Sequence, residues 1–319
     1  MAVQTFRVNI PQMTLDDLKR RLAQTRLPDE VKGAGWDYGT NLDYLKSLVD
    51  YWQNQFDWRA QEEKINRFAQ FRTEIDGFGI HFIHERGKGP RPIPIIIIHG
   101  WPGTFFEICK LIPLLTDPES HGGDPADSFD VIVPSLPGFG FSNRPLERGM
   151  MSSRRIAGLW ANLMTEDLGY ERFAAAGGDF GSIVTQYLAE EHPELLTGIH
   201  LIYIGHYAST PDPSELSEAE KRYRSAIQQW SMREGGYYMI QSTKPHPPRK
   251  LEPLPAVPAA FASFPGDLNP LPREWVERRL HLLQWTEMPR GGLFAAMEEP
   301  ELLAEDIMRF FHNRRQLPE

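Results

Sequence analysis

Disulfide bonds are out of reach for this chain, whose 319 residues include one cysteine, Cys109. A lone thiol fits a reducing compartment, and a cytoplasmic location is the expectation. Long apolar stretches are missing too. Runs such as residues 95–98, all isoleucine, fall far short of the roughly 20 residues that span a bilayer. The opening MAVQTFRVNIPQMTLDDLKRRL has no apolar signal core, so no membrane partner is expected. Positive charge is scarce: 34 Lys and Arg stand against 43 Asp and Glu, a net charge of −9. Phosphates would be repelled by such a surface, which argues against a nucleic-acid partner. Internal repeats are also lacking. What is present is an ordinary soluble balance, 41% hydrophobic and 24% charged, in a length that suits a core with an attached segment.

The pattern divides the chain. Thr14, placed before DDLKRRLAQTRL with Asp16 and Asp17 in the first turn, predicts the start of a helix. A second helix is predicted over 42–56, where Leu42, Leu45, Leu48, Val49 and Trp52 share a face. FRTEIDGFGIHFIHER alternates around Asp76-Gly77 and predicts a β-hairpin. These elements make up a lead-in over 1–90. Its aromatics (Phe6, Trp36, Trp52, Phe56, Trp58) need a surface to cover, so the lead-in is expected to wrap a core.

From residue 93 short apolar strands (IPIIIIHG, FDVIVPSLPG, RFAAAGGDFGS, TGIHLIYIG) alternate with helical stretches. That rhythm predicts a doubly wound, mostly parallel sheet with its chemistry on loops at the carboxyl ends of the strands. It runs over 91–205 as the first half of an α/β core. Residues 206–258 interrupt it as a polar, helical cap, and 245–258 are so rich in proline that neither helix nor central strand is expected there. The core resumes over 259–319.

AAAGGDFGS is the most informative segment. A small-residue strand runs into Gly177-Gly178, Asp179 and Phe180-Gly181, and a helix follows. Glycines on both sides permit the tight strand-to-helix turn of a nucleophile elbow; the plainer alternative makes Asp179 the N-cap of that helix. A carboxylate nucleophile suits attack on an sp³ carbon, giving an alkyl ester that water then hydrolyses. The second step needs activated water and donors for the developing oxyanion. His99-Gly100-Trp101-Pro102-Gly103, after the first core strand, supplies such a loop, and the amides of Trp101 and Phe180 are the natural donors.

GWDYGT, YWQNQFDWRAQEEKINRFAQF, HGWPGTFFE, PSLPGFGFS, GGDFGS, GYYMIQSTKP, SFPGD, WTEMPRGG and EEPELLAEDI occur in order along nearly the whole chain. This series resembles the microsomal and juvenile-hormone branch of the epoxide hydrolases. The resemblance implies an α/β-hydrolase fold with a cap and an N-terminal meander, no cofactor and no metal, and conversion of a small hydrophobic epoxide to a vicinal diol. It places the nucleophile on Asp179, the oxyanion loop on Trp101 and the triad acid on Asp267 of FPGD. A cap tyrosine that protonates the epoxide oxygen falls on Tyr237, with Tyr238 as the lesser candidate. A homodimer stays open.

Three departures stand out. The family motif Arg-Gly-Gly-His-Phe reads Arg290-Gly291-Gly292-Leu293-Phe294 here, so leucine replaces the general base and Asp267 would orient nothing. No other histidine is expected within reach, with His281 in a preceding helix and His312 in the last one. The chain passes from QSTKP straight into proline-rich sequence, which shortens the cap and removes the second acid tyrosine. Phe180 stands where the family usually has tryptophan, a change that spares the amide. Two readings follow: an epoxide hydrolase with impaired ester hydrolysis, or a non-catalytic binding or scaffold protein using the same pocket. A serine esterase is excluded because Ser182 lies beyond the elbow apex.

Overall fold

A computed structural model describes residues 3–146, 152–204, 216–242, 254–267, 270–312 and 314. The predicted hairpin and core strands form where short apolar runs lie between turn residues: β2 (Gln70–Ile75), β3 (Phe78–Glu85), β4 (Ile93–Ile98), β5 (Phe129–Pro134), β6 (Phe173–Gly177) and β7 (Leu196–Leu201); β1 (Gln4–Phe6), β8 (Leu254–Ser263) and β9 (Leu280–Glu287) join them. They make one sheet in the order β1-β2-β3-β5-β4-β6-β7-β8-β9, parallel from β5 to β9 and antiparallel before it. All six residues of β5 and four of the five isoleucines of β4, at 95–98, are buried. Their runs are continuous, not alternating, because helices cover both faces of a parallel sheet. Burial of each isoleucine contributes about 1.5–3 kcal/mol. The expected α/β-hydrolase class holds.

Strand order reverses at β4, which has β5 on one side and β6 on the other. The loops leaving β4 and β6 therefore border the crevice where open α/β sheets place ligands. Register makes this concrete: Ile98 pairs with Gly177, so the two chains leave the sheet side by side.

The hairpin forms around Asp76 (φ 50°) and Gly77 (φ 80°), two positive-φ residues as a tight primed turn requires. Because β2 and β3 belong to the sheet, the division expected at residue 90 falls at 68. One compact unit contains residues 1–6 and 69–319; the other is Arg7–Phe68. The smaller unit holds α1 (Gln12–Ala23), α2 (Leu42–Asn54) and α3 (Trp58–Ile65). Asn41 and Asp57 cap the latter two, accepting from Tyr44 and Ala60 amides. Thr14 does not open α1. The helix starts at Gln12 behind Pro11, whose carbonyl accepts the Thr14 amide at 2.9 Å, and no acidic residue lies in the first turn. Proline entered that position without needing a side-chain cap, its φ being fixed in advance.

In the larger unit α4 (Leu111–Thr116) and α11 (Pro300–His312) pack together; α5 (Ser153–Asn162) and α6 (Asp179–Glu191) form another layer. The cap interval shows α7 (Glu218–Arg233), opened by a Ser217/Glu220 capping box, and α8 (Gly236–Ser242). The rest of the expected cap, 206–215 and 243–253, lies outside the described residues. Two expectations need correction. Proline does not stop β8, which already pairs with β9 at Leu254 and Pro258, whereas β7 joins it only from Ala259. With one neighbouring strand, a missing N–H leaves no ladder bond unmade. His281 is not helical: α9 (Arg273–Arg279) ends before it, and HLLQWTE runs as exposed edge strand β9. α10 (Ala295–Glu298) precedes α11. Among the described residues no helix is long and apolar enough to cross a membrane.

Candidate active site

Asp179 stands between β6 and α6 with φ +48°. A left-handed conformation costs a non-glycine residue about 1–3 kcal/mol unless its surroundings enforce it. Here they do. A Cβ on Gly181 would run into the Ile98 carbonyl oxygen, and one on Gly177 into the Gly181 backbone. The elbow's glycines are fixed by the close crossing of β4 and the turn, and the turn sets Asp179 at the very start of α6. It is therefore the first residue of the helix and does not cap it; Gly178 holds the N-cap position.

The Asp179 Oδ1 accepts the Trp101 amide at 2.9 Å and the carboxylate also accepts the Phe180 amide. The two amides expected to serve an oxyanion thus already converge on one carboxylate. Burial pushes the Asp179 carboxyl above its ordinary range, and the two amides pull it partly back. The loop carrying Trp101 is braced by His99, which is fully buried. Its Nε2 accepts the Leu136 amide at 3.1 Å, which assigns the proton to Nδ1, donated to the Gly100 carbonyl at 3.0 Å. Burial holds this imidazole neutral, its pKa down at about 4. His99 is an architectural group with both nitrogens engaged.

Tyr237 of α8 lies over this loop, its ring stacked on Trp101 at 5.9 Å and 11° and edge-on to Trp230 at 6.1 Å. Its phenol is pushed upward first by burial, then by the negative charges of Asp179 and Asp267. The structure therefore brings Tyr237 within the electrostatic reach of both aspartates. Asp267 is half-buried in the loop after β8. That loop is tied to the one carrying Leu293 by the Gly266–Gly292 bridge and by the Gly266 amide, which donates to the Gly291 carbonyl at 2.8 Å. Leu293 faces a cavity of about 40 Å³ whose lining also includes Gly100, Trp101, Glu107 and Asp179.

Three groups in this region escaped sequence reasoning. Glu107 belongs to the turn Phe105–Ile108 and its Oε1 accepts the Gly100 amide at 3.3 Å. Its carboxyl is raised to about 7, mainly by burial and further by the Asp179 charge, against the lowering pull of the Gly100 amide. A lone acid in the apolar stretch TFFEICKLIPLL was the signal. His200 of β7 lines the same cavity, so one histidine besides His281 and His312 does come near. Its Nε2 is bonded to Asp306 Oδ2 at 2.8 Å. It pairs in register with Ala176, three residues before Asp179, or roughly 10 Å down the strand at about 3.3 Å per residue. Tyr203, just past β7, has a phenol raised well above its usual value by burial, then by Tyr223, Asp179, Tyr238 and Asp267. His281 is exposed on β9 and His312 bonds Asp127 at 2.8 Å, so neither joins the cavity. Among the described residues no cluster of three or more His, Cys, Asp or Glu is arranged to hold a metal.

Comparison with known proteins matches residues 3–108 to the epoxide hydrolase N terminus and 93–234 to the alpha/beta hydrolase fold. A protein of Stigmatella aurantiaca (strain DW4/3-1), named among the epoxide hydrolases, is 35% identical over 98% of this chain and 86% of its own. That alignment extends over 378 positions against the 319 residues here, so the relative carries internal residues that this chain lacks. Epoxide hydrolase 1 of Oryctolagus cuniculus is 31% identical over 97% of this chain and 88% of its own. The structure of the Aspergillus niger epoxide hydrolase superposes with a TM-score of 0.85 at 27% identity, covering 98% of this chain and 97% of that one. The juvenile hormone epoxide hydrolase of Bombyx mori shares the fold at TM-score 0.85 and 22% identity.

Proposed function

The chain belongs to the epoxide hydrolase family, and on that premise we propose that Asp179 opens a small hydrophobic epoxide by forming an alkyl-enzyme ester whose hydrolysis is the impaired step. The observation carrying this reading is the Asp179 carboxylate at the elbow apex, one oxygen bound by the Trp101 amide at 2.9 Å. The other oxygen attacks the less hindered epoxide carbon, forming a C–O bond as the ring C–O bond breaks. Tyr237 donates a hydrogen bond to the departing oxygen, where negative charge develops. No base is needed, because the nucleophile is a carboxylate that reacts in its ionised form.

Once the ester forms, Oδ1, bound by the Trp101 amide, is its carbonyl oxygen, and the Phe180 amide donates to the same carboxyl group. The same donors then stabilise the oxyanion when water adds, and they are in place before the charge appears. Water must still be deprotonated. Leucine at 293 has no proton acceptor, and losing a positioned base costs about 10²–10⁴-fold. Accumulation of the ester follows. The chemistry draws on side chains and water and needs no cofactor. Residues 206–258 act as a shortened cap, and the single thiol suits a cytoplasmic setting.

The test is intact-mass spectrometry after incubation with styrene oxide. One epoxide mass is expected on the peptide containing Asp179, and none in Asp179→Ala. Leu293 favours a second reading, a non-catalytic binding protein. Neither adduct nor diol across a broad epoxide panel would decide for it.

A further inference from the structure

Gly100 is pinched between two carboxylates. A Cβ at this position would lie 2.5 Å from the Asp179 Cβ, while its amide donates to Glu107 Oε1 at 3.3 Å. Glu107 also closes against Gly103, which has no room for a side chain because the Glu107 carboxyl fills it. The loop after β4 thus carries the Asp179-binding amide of Trp101 on one side and a second acid on the other. Both acids line the 40 Å³ cavity that Leu293 faces. A water needs about 10–15 Å³ of such space and two to four polar partners, so two or three waters fit. Most of the remaining wall, with Ile108, Leu111, Ala296, Leu303 and Ile307, is apolar, and the other titratable side chain on it is His200.

We propose that Glu107 is a catalytic residue of this chain, the acceptor that takes the proton from the hydrolytic water in place of the missing histidine. The inference rests on the alkyl-enzyme reading above. A cavity water adds its oxygen to the Asp179 Cγ and gives one proton to the Glu107 carboxylate. The carbonyl electron pair moves onto Oδ1, held by the Trp101 amide, with the Phe180 amide donating to the same carboxyl group. Collapse re-forms the carbonyl and breaks the bond from Cγ to the substrate oxygen, and that alkoxide takes the proton back from Glu107. The second hydroxyl of the diol leaves, and Asp179 carries an oxygen from water. Its carboxyl proton replaces the one Tyr237 gave to the ring oxygen, so the nucleophile returns to a carboxylate, the phenol is restored, and two hydroxyls account for the water and the epoxide.

Charge tunes the timing. In the free protein the Asp179 carboxylate opposes ionisation of Glu107, which burial already disfavours. Esterification removes that charge, so Glu107 loses its proton more readily just when a base is needed. Among the described residues lining the cavity, the titratable groups are Asp179, Glu107 and His200. His200 is committed to Asp306, itself bonded by Thr286 at 2.6 Å. Glu107 is the carboxylate on the Asp179 side of the space.

The experiment separates ester formation from ester release, using the full chain and styrene oxide with mass detection of the adduct. Glu107→Gln is expected to form the adduct within threefold of the parent rate and to release it about 10²-fold more slowly. In the unmodified chain the release rate should rise with pH to a plateau, with a midpoint at or below about 7. In Glu107→Gln the dependence should vanish. Adding Leu293→His to Glu107→Gln should restore release, because the two bases are alternatives for one water. Normal adduct formation in Glu107→Gln with parental release would overturn the assignment and leave ring opening standing. A flat release profile between pH 5 and 8 in the unmodified chain would overturn it without recourse to any variant. Absence of any adduct would remove the ester itself, and with it both proposals.

Discussion

On the β4–β6 side of the crevice the groups proposed to act are main-chain amides and one carboxylate, held by glycines whose Cβ positions are occupied by neighbouring atoms. On the β8–β9 side they are side chains: Asp267, Leu293 and, from α8, Tyr237. The contrast follows from the chemistry of each. Amides at Trp101 and Phe180 come with the fold, since the elbow and the loop at Gly100 cannot pack otherwise. A base at 293 depends on one side chain on a loop whose backbone bridge, Gly266 to Gly292, forms regardless of its identity. One half can be lost by a single substitution without disturbing the sheet, whereas the other cannot.

The largest expected effect breaks the rigid side. Gly181→Ala forces a methyl group into the Ile98 carbonyl, an overpacking that costs about 1–3 kcal/mol or more. Adduct formation should be abolished and the melting temperature lowered; a stable variant with parental alkylation would show that the elbow tolerates what the contrast forbids. Leu293→His sharpens the other side. Release of the ester should accelerate with alkylation changed little, by less than the roughly 10²–10⁴-fold a positioned base contributes because Glu107 already serves the same water, as measured by decay of the adduct after excess epoxide is removed. Unchanged release would mean that Asp267 does not orient a group at 293. The smallest effect is at the cap. Tyr237→Phe keeps the stack on Trp101 and removes one hydrogen bond, slowing alkylation about tenfold, or about 1.4 kcal/mol. Release should not change, and single-turnover kinetics separate the two.

How far the sequence could be read follows the same division. Strands β4 to β7 were visible because each is a short apolar run cut off by glycine or proline. The turn at Asp179 was visible because backbone geometry imposes a glycine pattern. The start of α1 and the entry of β8 were misjudged because proline is excluded only where an N–H must be used, which depends on neighbours. His281 was misplaced because LHLLQWTE is apolar enough for helix or strand, and the end of α9 at Arg279 decided it. The end of the lead-in was misjudged because the hairpin at 70–85 pairs with β5, some fifty residues later. Glu107, His200 and Tyr203 reach the site only through adjacency of strands, and no local spacing records which strands are neighbours.

The histidine that braces the oxyanion loop has a cost in acid. His99 receives the Leu136 amide on Nε2 and is held neutral down to about 4; a proton there would face an N–H already in place. Unfolded histidine binds a proton near 6.5, so between pH 6.5 and 4 the unfolded chain holds one more proton than the native one. Stability is complete above 6.5 and falls by about 1.4 kcal/mol per pH unit below it for each such group. His84, also held at about 4, and His81, at about 3, add to the slope. An endosome-like lumen would therefore act as a solvent trap for this fold: the crevice is assembled around unprotonated imidazoles, and acidity selects the chain that has let them go.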